Sequence, residues 1–175
     1  MPVHVPGLTA AVGGSGSADF FLHVQTKRAG KVKGEASSPG HQDDIVVTGW
    51  NWGLQSGSAL GDTQATARRS YSALTVHKLV DSASTGLMSA LATNDEVKEA
   101  KLCLRRAGGE QEDFLVVTLK GARITSLQHS GAEDGSTRET LTIAFTEVDV
   151  EYRPQKATGL RGGTFNFTDS LPSRG

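Results

Sequence analysis

Residues 45–53 read IVVTGWNWG and hold both tryptophans of the chain, Trp50 and Trp52, two positions apart. Side chains two apart on a strand project from one face. A single strand through this stretch puts Val46, Thr48, Trp50, Trp52 and Leu54 on one side and Ile45, Val47, Gly49, Asn51 and Gly53 on the other. Two indoles can bury roughly 150–250 Å² each, or about 4–6 kcal/mol apiece at ~25 cal/mol per Å² before entropy costs. That energy suits a core or a subunit contact. A stacking platform for a base or sugar would want positive charge beside the rings, and Thr48 and Leu54 supply none. Packing is the favoured reading. A carbohydrate- or nucleotide-binding barrel using Trp50 and Trp52 is the alternative.

Outward from this stretch the chain alternates strand by strand. Upstream, Phe20, Leu22 and Val24 share one face, after a flexible N-terminal segment (1–18) that ends in GGSGSA. Glycine, proline and charge mark a loop over about 26–43, and small polar residues mark a long exposed loop over 55–70. The run YSALTVHKLV (71–80) resumes strand with Leu74, Val76 and Val80 on one side. One helix follows, with Ser84 as N-cap, Leu87, Met88 and Leu91 at one-face spacing, and Asn94 closing it. At two to three turns it is too short to stand alone and must pack on the sheet.

Ala100, Leu102 and Leu104 then alternate with Lys101, Cys103 and Arg105. A turn at 107–110 leads into a long strand from about Phe114 to Gln128, and a second turn at 130–136 leads back through Glu139 to Tyr152. The apolar parity shifts between Leu119 and Ala122, and again between Phe145 and Val148. A hairpin folded near Glu133 sets these shifts nearly opposite each other, which predicts a bulge or sharp coil where long strands turn a corner. Pro154 and the glycine-rich tail end the sheet. The fold class is mainly β: a two-sheet β-barrel or sandwich with one short packed α-helix.

The 175 residues fit one domain, and a net charge of -1 argues against a dedicated nucleic-acid binder. Cys103 is the only cysteine, so it forms no intramolecular disulfide, and its apolar surroundings make it a small buried hydrophobe. No apolar run is long enough to span a membrane, and MPVHVPGLTA has no secretory signal pattern.

No spacing typical of hydrolases, metalloproteases, phosphate loops or dinucleotide sites occurs. His23 and His77 fall on strands as hydrogen-bonded structural residues, while His4 and His41 look solvated. The acidic pairs Asp43-Asp44 and Glu133-Asp134 read as solvated loop residues, and Arg68-Arg69 and Arg105-Arg106 fall short of a phosphate site. The reading is a non-enzyme with no catalytic, cofactor-binding or metal-ligating residues. A hydrolase whose residues converge only in three dimensions is a further alternative.

FFLHV, VKGE, HQDDIVVTGWNWGLQSGS, STGLMSAL, AKLCLRRAGGEQEDFLVVTLKGARITS and VEYRPQKATG occur in that order. Together they resemble the haemolysin-coregulated protein (Hcp) family, the tube component of the bacterial type VI secretion system. The resemblance runs from about Phe20 to Gly159, which makes 19–159 an Hcp-like β-barrel domain and 160–175 a C-terminal tail.

The resemblance implies a homohexameric ring, stacking of rings into a tube, and effectors carried in the lumen. It implies sheath, spike and baseplate proteins as partners, and residence in the bacterial cytoplasm followed by secretion without a cleaved signal peptide. It also places Asn51 towards the lumen as a cargo contact, and Trp50 and Trp52 in packing or subunit contact. The loop holding Gly57, Gly61, Thr63, Arg68 and Arg69 is implied in ring stacking.

Overall fold

The computed structural model describes residues 18–57, 69–106, 112–154 and 163–171. Thirteen elements follow in chain order: β1 (Ala18–Thr26), β2 (Gly30–Lys31), β3 (Ile45–Val47), β4 (Gly49–Asn51), β5 (Leu54–Ser56), β6 (Arg69–Tyr71), β7 (Leu74–Leu79), α1 (Ser84–Ala92), β8 (Val97–Arg106), β9 (Asp113–Gly131), β10 (Thr137–Ala144), β11 (Glu147–Tyr152) and β12 (Phe165–Ser170). Ten strands form an antiparallel ladder, β2–β1–β8–β9–β10–β7–β4, with β3 on β1, β11 on β9 and β12 on β11. β5 and β6 make a separate two-stranded ribbon. The chain is mainly β with one short helix, as expected. The ladder does not close edge to edge into a complete barrel.

Its two faces enclose one core that includes Leu22, Val24, Ile45, Val76, Leu102, Leu119, Leu141 and Ile143. The expected corner lies within the long hairpin. β9 pairs with β11 over Leu115–Lys120 and with β10 from Arg123 onward. Between these ladders Gly121 adopts φ 54°, and opposite it the Thr146 N–H donates to the Lys120 carbonyl at 3.2 Å. The parity shifts read in the sequence are the places where the hairpin bends from one face to the other. A further register shift between Thr142 and Ile143 adds a second irregularity.

The stretch IVVTGWNWG is not one strand, and this corrects the single-face reading. β3 pairs with β1, whereas β4 pairs with β7. Thr48 is the joint: its N–H and its hydroxyl both donate to the His77 carbonyl, at 2.8 and 3.1 Å. Inward parity shifts there, so that Ile45 and Val47 are buried, Val46 is exposed, and Trp50 and Trp52 pack against the core. Leu54 does not share their environment; it lies exposed on the ribbon.

Other expectations also change. The loop over 26–43 contains β2 and buries Val32 and Ala36. On β7 the inward series ends in Lys78, fully buried, while Val80 is exposed. The N-cap is Ala83 rather than Ser84; Asp81 supplies the cap, its Oδ1 accepting from the Ala83 N–H at 3.0 Å. Leu87 and Ala90 face the core and Met88 points outward, while Asn94 ends the helix at φ 52°. The sheet does not stop at Pro154, because β12 returns to pair with β11 over six positions.

A Cβ built on Gly121 would lie 2.2 Å from the Thr146 Oγ1, in a backbone conformation that L side chains rarely adopt. Gly121→Ala is expected to destabilise the domain by about 1–3 kcal/mol in urea unfolding. Adding Thr146→Ala should recover part of that loss by removing the clash while leaving the backbone strain.

Candidate functional site

Two clusters of polar and aromatic side chains stand out in the molecule. The first lies where residues 32–44 double back on themselves. The Gly34 N–H donates to the Asp43 carbonyl at 2.8 Å, and the Ala36 N–H to that of Asp44 at 2.9 Å. The approach is so close that a Cβ on Gly34 would meet the Asp44 carbonyl oxygen at 2.4 Å.

His41 closes this loop and is buried, which corrects its reading as solvated. Its Nδ1 lies 2.9 Å from Asp44 Oδ2, and its Nε2 lies 2.8 Å from Asp113 Oδ1. Both ring nitrogens donate only if the imidazole carries two protons. Phe21 stacks on the ring at 4.3 Å, and Arg105 reaches Asp113 at 3.3 Å and the Pro39 carbonyl at 2.7 Å.

Asp44 is therefore no solvated loop acid. Lys31 at 3.0 Å and His23 at 3.2 Å complete its surroundings. Burial pushes the Asp44 carboxyl up, but the bonds from His41, Lys31 and His23 outweigh it and hold the group below the ordinary carboxylate range. Cys103, beside this cluster, is buried as expected, and burial is the main cause pushing its thiol up to about 12.

His41, Cys103 and Asp113 present donor atoms within 4.8 Å of one another. Their chemistry does not fit a metal. A zinc ion wants metal–ligand distances of about 2.0–2.3 Å, whereas His41 bonds Asp113 directly and Arg105 already neutralises that carboxylate, so two of the three donors are engaged with protein partners. The cluster is a latch of ion pairs and hydrogen bonds that ties 32–44 to β1, β8 and β9.

The second cluster surrounds Trp52. Its ring stacks on Tyr71 at 5.8 Å and tilts against Phe145 at 6.3 Å. Its Nε1 is buried without a hydrogen-bond partner among the described residues. The Tyr71 hydroxyl donates to Asp169 Oδ2 at 2.6 Å, and Arg69 grips the same carboxylate through Nε and, at 2.9 Å, through Nη2. Bonds from Arg69 and Tyr71 hold the Asp169 carboxyl at about 2.

The sequence-designated residues fall as follows. Asn51 is exposed on β4, its side chain on the face opposite the neighbouring indoles. Trp50 and Trp52 are half-buried against the core. Gly57 is exposed at the end of the ribbon, and Arg69 lies on β6 bonded to Asp169. Gly61, Thr63 and Arg68 lie outside the described residues, as does the segment 1–17. Sequence reasoning missed the pairing of His41 with Asp113 and of Arg69 with Asp169, since the partners are 72 and 100 positions apart. Only the alternating FNFTD run could have announced β12.

A β-rich scaffold of this shape defines a class already seen in type VI secretion. A solved structure of a type six secretion system protein superposes with a TM-score of 0.81 at 28% identity, covering 89% of this chain and 96% of that one. Hcp1 from Salmonella typhimurium superposes at 0.70 with 25% identity, covering 89% and 95%. The family model for "Type VI secretion system effector, Hcp" matches residues 21–152. Protein hcp1 of Pseudomonas aeruginosa is 36% identical over 152 residues, covering 84% of this chain and 90% of its own. The chain belongs to the Hcp family.

Breaking the latch tests its contribution. Asp44→Asn should cost about 2–4 kcal/mol at pH 7, because it leaves His41 and Lys31 without their carboxylate. A carboxyl whose folded-state pKa is depressed stabilises above its unfolded value, ordinarily about 3.9, and that contribution is lost as pH falls through the folded value. The gap between wild type and variant in urea unfolding should therefore narrow below about pH 4. A gap of constant size down to pH 2 would sink the assignment.

Proposed function

We propose that this chain is a structural, non-enzymatic subunit of the type VI inner tube. Six copies close into a ring, rings stack, and the lumen carries effectors. The tube is exported from the bacterial cytoplasm without a cleaved signal peptide and works with sheath, spike and baseplate partners. No described helix is long and apolar enough to cross a membrane.

The observation that carries this reading is the surface left by the fold. Phe165, Leu79, Leu54 and Val46 are 65, 53, 50 and 47% exposed on an otherwise well-packed domain. Among the described residues, β4 pairs only with β7, β12 only with β11, and β2 and β3 only with β1, so the ladder ends in several different open edges. Open edges and exposed apolar side chains invite association. Head-to-tail closure of a ring needs two different complementary surfaces on each copy. The exposed position of Asn51 supports its assignment to the lumen.

The stacking-platform alternative loses support at Trp52, whose ring is engaged by Tyr71 and Phe145, while Trp50 rests half-buried against the core.

Light scattering coupled to size-exclusion chromatography should give a mass six times the 18.4 kDa chain; a monomer at high concentration overturns the proposal. In assembled rings, Asn51→Cys should react with a bulky maleimide more slowly than in dissociated chains, and the buried Cys103 contributes little background. Equal rates would remove Asn51 from the lumen.

A further inference from the structure

The β5–β6 ribbon has no strand pairing with the main ladder among the described residues. Its residues Leu54, Gln55, Ser56, Arg69 and Ser70 are exposed, so little buried apolar area fixes its direction. At its base, Ser72 donates through its N–H to the Gly53 carbonyl at 3.0 Å, and Tyr71 stacks on Trp52. Among the described contacts that reach the ribbon strands from elsewhere in the fold are the edge of the Phe145 ring on Tyr71, at 5.7 Å, and the carboxylate of Asp169, near the end of β12.

That carboxylate is fully used. Arg69 engages both its oxygens, the Tyr71 hydroxyl donates to Oδ2, and the Asp169 Oδ1 also accepts from the Ser170 N–H at 2.9 Å. Arg69 Nη2 adds a bond to the Ser170 carbonyl at 3.0 Å. A planar guanidinium bound in this way fixes direction as well as distance. Between ribbon and β12 runs an open groove of about 530 Å³, lined by the three clamp residues together with Leu54 and Phe167 among others.

We propose that Asp169 is a positioning residue for ring stacking. By gripping Arg69 and Tyr71 it fixes the angle at which the ribbon leaves the domain, and so makes the C-terminal strand β12 part of the ring-to-ring contact. This rests on the tube reading above, and it departs from any reading of the C-terminal region as an uninvolved tail. β11 and β12 form six paired positions, so β12 is held by the body of the sheet and can act as a fixed post. The ribbon, lacking its own core, takes its orientation from that post.

The test separates the clamp from the tube reading by measuring the ribbon and the assembly independently. Hydrogen–deuterium exchange is followed by mass spectrometry on peptides covering 54–57 and 69–71, in wild type, Asp169→Asn, Asp169→Glu and Arg69→Gln. Ring mass is followed by light scattering, and stacking by sedimentation and electron microscopy of concentrated protein.

Asp169→Asn and Arg69→Gln should each speed ribbon exchange about fivefold, the scale of an exposed charge pair. Exchange in β8 and the ring mass should stay unchanged while stacking is lost. Asp169→Glu, which keeps the charge and can still accept two bonds, should restore part of both. Arg69→Gln leaves β12 intact, so the test holds even if Asp169→Asn disturbs the β11–β12 pairing. Unchanged ribbon exchange in both variants overturns the proposal, as does a loosened ribbon with stacking intact. If wild type forms no rings, the tube reading and this role fall together, and faster ribbon exchange would then leave the clamp as a local feature only.

Discussion

The structure depends on bending strands between two sheet faces without leaving backbone groups unpaired. Three passages do this: Thr48 between β3 and β4, Gly121 within β9, and Thr146 between β10 and β11. At each, a ladder hydrogen bond must be replaced by another, because an unpaired buried N–H or carbonyl costs about as much as a lost hydrogen bond. Thr48 donates twice to the His77 carbonyl, and the Thr146 N–H and hydroxyl both reach Lys120. Threonine suits both places because a short hydroxyl can serve the backbone at a bend. Glycine suits the third, since its positive φ and the approach of Thr146 leave no room for a Cβ.

With the bends fixed, the core between the faces is apolar, and most of the buried charge sits in two satellite clusters, apart from Asp95, which accepts from the Arg28 and Ala29 N–H groups. His41 with Asp44, Asp113 and Arg105 covers one side of β1 and β8, and the second cluster is centred on Lys78. Lys78 is fully buried, with Asp81 at 2.8 Å, Ser84 Oγ at 3.1 Å and Glu139 Oε1 at 3.4 Å. The Glu139 Oε1 makes no aligned hydrogen bond, so at that distance the pair is held by charge more than by a directed bond. Buried pairs gain little net stability over apolar packing, but removing one partner is expensive. Each cluster therefore pins a loop or helix start to the sheet in one arrangement.

Sequence patterning revealed most of the sheet because half-buried strands alternate with period two. Leu22 and Val24, Leu102 and Leu104, and the parity shifts in the long hairpin could all be read that way. It failed where two sheets share one continuous run. IVVTGWNWG reads as one strand, yet Thr48 passes it from β1 to β7; the three consecutive apolar residues Ile45, Val46 and Val47 hide which of them faces inward. His41 was misplaced, and the burial of Lys78 went unread, for a related reason: a polar residue reads as solvated unless its partners are known. Asp113 lies 72 positions from His41, and Glu139 lies 61 positions beyond Lys78 (139 less 78), so the burial is a property of topology and not of spacing.

The same reasoning bears on where function resides in this fold. Most of the buried polar groups considered above hold a bend, a loop or a helix start; the exceptions are Trp52 Nε1 and Glu139 Oε1, which are buried without a hydrogen-bond partner among the described residues. The exposed features are of another kind: open edges at β4 and β12, bare apolar side chains, and a ribbon with no core of its own. Edge pairing is repetitive by nature, because whatever one copy offers at one side, the next copy offers too. Stability inside and incompleteness at the rim are thus two outcomes of the same strand bending, which closes the core while exposing the ends of the ladder.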